Sequence, residues 1–133
     1  MKNKYGFTLV ELMVVIMIVG ILASVSIPLM RGKINDSKWS EANAACGTIN
    51  TAMRGYYANN GLSTANAVTG LLSNAAIQAE LGFTASDLTG TYFTPANYTI
   101  TAVTSTGNCT IAVTAATGMT GTRTFDGTAG TWQ

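Results

Sequence analysis

Between Phe7 and Met30 the chain runs for 24 residues with a single formal charge, Glu11. Wound as an α-helix at about 1.5 Å per residue, this stretch reaches roughly 36 Å. That is enough to cross a bilayer core of about 30 Å. The carboxylate near its beginning is the anomaly, because an acidic side chain at the centre of a membrane helix costs roughly 2.5–3.5 kcal/mol. Glu11 therefore needs either a partner or a position from which it reaches the headgroups.

The full length of 133 residues leaves about a hundred outside this run, the size of one small domain. The hydrophobic fraction of 47% conceals a split between the apolar first thirty residues and a remainder rich in Thr, Ala, Gly and Asn. Lys2 and Lys4 are two of the seven basic residues, so the chain beyond Gly6 carries five against six acidic ones. Such near-neutrality offers no electrostatic footprint for nucleic acid or anionic lipid, and no nucleic-acid partner is expected. Histidine is absent, which excludes His-based triads, dyads and metal sites. There is also no Gly-rich phosphate loop and no close carboxylate pair, so the chain reads as a non-enzyme with no cofactor and no small-molecule substrate. Asp87 and Asp126 are two scattered carboxylates, too few for a calcium cage.

Two cysteines, Cys46 and Cys109, allow one disulfide if the soluble part lies in an oxidising compartment. Closing a loop of about 64 residues contributes about 4 kcal/mol on the chain-entropy model. Two buried thiols without a bond are the alternative.

Residues 1–6 form a short basic leader running directly into the apolar stretch. A secretory signal would be cut after the stretch, near Ser24-Val25-Ser26-Ile27-Pro28, but the run exceeds the usual signal core and a helical pattern continues beyond it. A retained anchor over 7–30 is expected, followed by a soluble head over 31–133. Charge does not orient it, since Lys2 and Lys4 lie on one side and Arg31, Lys33 and Lys38 on the other.

The stretch Lys4-Tyr5-Gly6-Phe7-Thr8-Leu9-Val10-Glu11-Leu12 resembles the class III signal of type IV pilins and the related pseudopilins of type II secretion: a basic leader ending in Gly, then Phe, then an apolar helix with Glu at the fifth mature position. The resemblance implies cleavage between Gly6 and Phe7 by a membrane-embedded prepilin peptidase on the cytoplasmic face, and N-methylation of Phe7. It places the anchor in a bacterial inner membrane with its amino terminus inside, and later in an extracellular filament built by pilus assembly machinery. A side chain at position 6 would obstruct the protease cleft, which suits Gly6. Glu11 is implied to face the terminal amine of a neighbouring subunit, so that two buried charges neutralise one another; snorkelling to the headgroups is the alternative for the free subunit. Gly20 and Pro28 match the ends of a segment that can melt during assembly, with Ser24 and Ser26 available to freed carbonyls. A simple proline kink is the other reading.

Beyond Pro28, Trp39, Ala42, Cys46, Ile49, Met53 and Tyr56 recur at steps of three and four, one face of an amphipathic helix, with Asn50 largely off that face. Gly61 in Asn59-Asn60-Gly61 predicts its stop. Arg31, Lys33, Lys38 and Arg54 are interleaved with Asp36 and Glu41, a solvated or inter-subunit pattern rather than a DNA stripe. Residues 62–97 read as a connection with a short helix over 71–81, stopped by Gly82, and a capped turn at Thr84–Leu88. Tyr98–Thr104 alternates strictly, and Cys109–Thr114 alternates after a turn, which predicts a hairpin. Cys109 then shares a face with Ile111 and Val113, towards the helix. Thr122–Asp126 is a third strand, and 131–133 a short edge.

The fold expected is α+β: a long N-terminal helix packed on a small antiparallel sheet. The function implied is a structural subunit of a type IV pilus, polymerised into a helical homo-oligomer. A secretion pseudopilin is the alternative within the class, although a Pro-Trp-Gly-type segment and a Tyr-rich calcium loop near the end are missing. A minor or tip pilin acting as an adhesin or DNA-binding module is the alternative outside it.

Overall fold

The computed structural model describes residues 6–133, and the leader's Lys2 and Lys4 lie outside the described residues. The chain divides into two units, the first ending at Asp36 and the second comprising Ser37–Gln133. Helix α1 (Leu9–Ala67) carries residues of both.

In the first unit α1 begins at Leu9 and stays helical through Gly20 and Pro28. Every residue from Gly6 to Asp36 is exposed except Ala23, which is half-buried. The hydroxyls of Ser24 and Ser26 donate to the carbonyls of Ile21 (2.7 Å) and Leu22 (2.9 Å). Pro28 withdraws an amide from the carbonyl four residues earlier, that of Ser24. The serine hydroxyls thus bond carbonyls other than the one the proline frees.

The second unit is built on the stripe read from spacing. Trp39, Ala42, Cys46, Ile49 and Met53 are buried, and Tyr56 is half-buried against them. Gly61 leaves the helical region with φ 77° and ψ 174°, a left-handed φ that costs glycine little. The chain does not stop there, as the sequence suggests. It resumes a helical turn to Ala67, which buries Ala65 and leads to buried Val68.

The connection then departs from expectation at its start. Gly70–Leu71 form strand β1, so the helix expected from Leu71 begins only at Ala75. Asn74 caps this helix, α2 (Ala75–Leu81), by accepting the Ala76 N–H at 3.0 Å, and left-handed Gly82 ends it. Buried Gln78 donates to the Leu72 carbonyl at 2.6 Å, tying α2 back to the turn that follows β1. A 3-10 turn at Pro95–Asn97 delivers the chain into the sheet.

Strands β2 (Tyr98–Val103), β3 (Cys109–Thr114), β4 (Thr122–Asp126) and β5 (Thr131–Trp132) complete an antiparallel sheet in the order β1-β2-β3-β4-β5. β3 follows its alternation, with Cys109, Ile111 and Val113 buried. β2 does not. A register shift between Ile100 and Ala102 places Val103 inside and leaves Ala102 exposed, and Thr101 at the shift donates its hydroxyl to the Thr110 carbonyl at 3.0 Å. Such bulges reset which face a strand presents.

Between helix and sheet lies one core that includes Leu72, Phe93, Tyr98, Ile100, Ile111, Val113 and Phe125. Trp39 packs on Phe93 and Trp132 with ring centroids 5.4 and 5.7 Å apart, and the Arg123 guanidinium lies 4.7 Å above the Trp39 ring. The long helix with its five-stranded antiparallel sheet is an α+β arrangement of type IV pilin-like form.

Two polar side chains of α1, neither singled out by periodicity, fix loops to this core. Glu41 accepts backbone N–H groups from Thr91 (3.1 Å), Tyr92 (3.0 Å) and Phe93 (3.0 Å). Gly90 lies so close that a Cβ there would fall on the Glu41 carboxylate. Asn50 accepts the Cys109 N–H at 2.8 Å and donates to the Gly127 carbonyl at 3.1 Å, joining helix, β3 and the turn after β4.

Candidate assembly site

The candidate site is the start of α1. Gly6, Phe7 and Thr8 are non-helical and exposed, and Phe7 shows 79% of its surface. A Cβ on Gly6 would meet nothing within 4 Å, so the chain's own packing does not demand glycine there.

Thr8 and Glu11 make a reciprocal cap. The Thr8 N–H and hydroxyl donate to Glu11 Oε2 at 2.9 and 2.8 Å, and the Glu11 N–H donates to Thr8 Oγ1 at 3.2 Å. This is the T-x-x-E capping box, with Thr8 as N-cap and Glu11 three residues on. A negative side chain in the first turn also opposes the positive end of the helix dipole. The pattern Thr8-Leu9-Val10-Glu11 was readable as a cap, a use of Glu11 that neither pairing nor snorkelling covers. Among the described residues Oε2 takes both Thr8 donors, and no hydrogen bond reaches Oε1.

Behind the cap, Val10, Met13, Val14, Ile16 and Met17 form an open apolar surface. The helix is long and apolar enough over this part to cross a membrane, and none of that apolar window is buried among the described residues. Gly20 and Pro28 both lie within continuous helix in this exposed stretch.

Cys46 and Cys109, for which a disulfide is one of two expectations, are both buried in the core, one carried by α1 and the other by β3. The Cys109 S–H donates to Asn50 Oδ1 at 3.5 Å, on the turn of helix that follows Cys46. Burial pushes both thiols up to about 12, reinforced at Cys46 by the charge of Cys109. Among the described residues no three His, Cys, Asp or Glu side chains cluster to hold a metal.

The chain carries the prokaryotic N-terminal methylation motif, whose family model matches residues 1–27. Its homologues are type IV pilins. It is 38% identical over 100 residues to the type IV major pilin protein PilE1 of Neisseria gonorrhoeae, covering 73% of this chain and 42% of that protein. Over 76 residues it is 38% identical to the type IV major pilin protein PilE of the same organism, covering 56% and 46%. Fimbrial protein EcpC of Eikenella corrodens is 42% identical over 67 residues, covering 50% and 44%. The chain thus spans less than half the length of these curated relatives. No solved structure matches.

Proposed function

We propose that this chain is the structural subunit of a type IV pilus, cleaved after Gly6, methylated at Phe7 and polymerised through residues 7–30. The observation that carries the reading is the conjunction at the start of α1: a methylation motif, then an apolar helix surface left exposed among the described residues, with one carboxylate at its mouth. An apolar surface of that extent needs lipid before assembly and other copies of the same helix after it. Residues 1–6 act as the leader, 7–30 as the membrane and filament-core helix, and 31–133 as the exported head. The prepilin peptidase and the pilus assembly machinery are its partners on the way from inner membrane to extracellular filament.

Glu11 serves both stages. Its Oε2 holds Thr8 and so fixes the first turn, while Oε1 is directed to the methylated amine of a neighbouring subunit. A lone carboxylate in an apolar bundle is costly and a paired one is tolerated, so only the correct stagger between copies satisfies both charges. The stretch between Gly20 and Pro28 loosens on packing into the filament, where the missing amide of Pro28 and the weak helix propensity of Gly20 make unwinding least costly.

Mass spectrometry of the mature protein tests the processing, with a chain beginning at methylated Phe7 expected. An intact Met1, or a start after Ser26, overturns it. Fibres sheared from the cell surface should consist chiefly of this chain; a trace component would instead favour a minor pilin, and recovery only with a secretion apparatus would favour a pseudopilin.

A further inference from the structure

Filament assembly makes no use of the two sulfurs inside the head. Cys46 is 0% exposed on the inner stripe of α1, and Cys109 is 1% exposed at the start of β3. Asn50, one turn beyond Cys46, receives both the N–H and the S–H of Cys109, so the Cys46 segment of the helix is held to the first residue of the strand. Asn50 also holds the Gly127 carbonyl, so the same side chain closes the turn that covers this end of the sheet. Cys46 and Asn50 stand four residues apart on one face of α1, so the Cys109 sulfur, 3.5 Å from Asn50 Oδ1, lies against the turn that carries Cys46.

We propose that Cys46 and Cys109 are a folding-coupled modification site, joined as a helix-to-strand disulfide by exchange with an oxidised dithiol protein while the head is still open, and sealed from oxidants and reductants once it has packed. In the cell this rests on the reading that the head is exported, because a disulfide persists only in an oxidising compartment. The chemistry balances by exchange. The thiolate of one cysteine attacks the disulfide of the oxidant, forming a mixed disulfide and releasing one of the oxidant's sulfurs. The second cysteine loses its proton to solvent and attacks the chain's sulfur in that mixed disulfide, forming the Cys46–Cys109 bond and expelling the oxidant's other sulfur. The chain gives up two electrons and two protons, and the oxidant's disulfide becomes a dithiol.

The timing follows from the packing. Exchange needs a thiolate and an in-line approach to sulfur, and the closed core denies both: neither sulfur meets solvent, and burial keeps both protonated at neutral pH. The pair is therefore a staple set once during folding rather than a redox switch on the finished surface. Oxidation removes only the weak S–H contact to Asn50, while the shorter bond from the Cys109 N–H can remain.

The test uses the full chain, reduced and held in detergent, with oxidised glutathione as the probe. One sample is folded before the probe is added, and the other is unfolded in guanidinium and refolded in its presence. Bond formation should be at least about 100-fold slower in the folded sample. A non-reducing peptide map of the refolded sample should show Cys46 joined to Cys109, and the bond should then resist dithiothreitol until denaturant is added. Both thiols remaining free after refolding would overturn the staple, and oxidation of the folded chain at the refolding rate would overturn the sealed core. A Cys109→Ala chain should take up glutathione at Cys46 when unfolded and resist it when folded, reading accessibility without the bond. If the chain isolated from cells has free thiols yet closes the bond on refolding, the staple stands and the exported head is the reading that fails.

Discussion

The two halves of α1 use one secondary structure for opposite ends. From Leu9 to Met30 apolar side chains surround the helix and, half-buried Ala23 apart, remain exposed, whereas from Trp39 to Met53 they recur at three and four residues and are buried. The second half obtains its stability within the chain, by laying a stripe on a sheet. Among the described residues the first half lies on no such sheet, and on the proposed function lipid and other copies of the helix take its place. Polar side chains follow the same division. Glu41 and Asn50 are committed to loops of their own head, while among the described residues Glu11 hydrogen-bonds Thr8, within its own first turn.

The comparison is most severely tested at Glu11. With Glu11→Ala, subunits should still enter the membrane, but sheared fibres should be lost, since removing one partner of a buried pair costs about 3–5 kcal/mol. Glu11→Gln separates the two uses, because an amide oxygen can still cap Thr8 but carries no charge for a neighbouring amine. Fibre loss with Gln as complete as with Ala supports pairing. Full recovery with Gln would reduce Glu11 to a helix cap and remove the contrast with Glu41.

In the head, the corresponding test is Phe93→Ala. Phe93 is fully buried and stacks between Trp39 and Tyr98, with ring centroids 5.4 and 6.1 Å away. Truncation should destabilise the head by about 3–5 kcal/mol in chemical denaturation of the full chain in detergent. A loss below about 1 kcal/mol would mean that the core is not the source of the head's stability.

Smaller effects are expected at the polar staples. Asn50→Leu strands the Cys109 N–H and the Gly127 carbonyl, for a cost of about 1–3 kcal/mol. Gly90→Ala drives a methyl into the Glu41 carboxylate and should cost about 1–3 kcal/mol. Pairing Gly90→Ala with Glu41→Ala in a double-mutant cycle should show strong coupling, and additive losses would mean that the 90–93 loop is held by something else.

What was legible in the sequence divides along the range of the interactions. The α1 stripe and the alternation of β3 are short-range repeats, and the structure keeps them. The bulge between Ile100 and Ala102 was hidden, because β2 alternates in sequence while its pairing with β3 shifts. β1 was hidden because two residues, Gly70 and Leu71, have no period, and their pairing to Ile100 and Thr99 lies far along the chain. Glu41 and Asn50 were read as outward-facing for the same reason, their partners lying about 50 to 77 residues away. At the candidate site the leader pattern, Phe7 and Glu11 were evident from residue type and spacing alone. The Thr8–Glu11 cap is equally local, a bond between residues three apart, whereas a pairing of Glu11 across subunits is long-range by nature.

The weakest expected effect concerns Asp87, whose carboxylate has a local role in the turn after α2. It accepts the Thr84 N–H at 2.7 Å and the Thr84 hydroxyl at 2.8 Å. These bonds, the backbone one foremost, hold its carboxyl below the ordinary aspartate value. A carboxyl whose folded pKa is depressed stabilises the fold fully above its unfolded pKa, and that contribution is lost as pH falls through the lower, folded value. Asp87→Asn should therefore be slightly less stable than the parent above about pH 5, with the gap closing as pH falls through the acid range. Because the group is exposed, solvent screens it and the gap should be small. Urea midpoints of the two chains, measured in parallel across that range, read the convergence. A gap that stayed constant with pH would assign the effect to turn geometry rather than to the carboxylate's charge, and would place Asp87 with the neutral staples of the head.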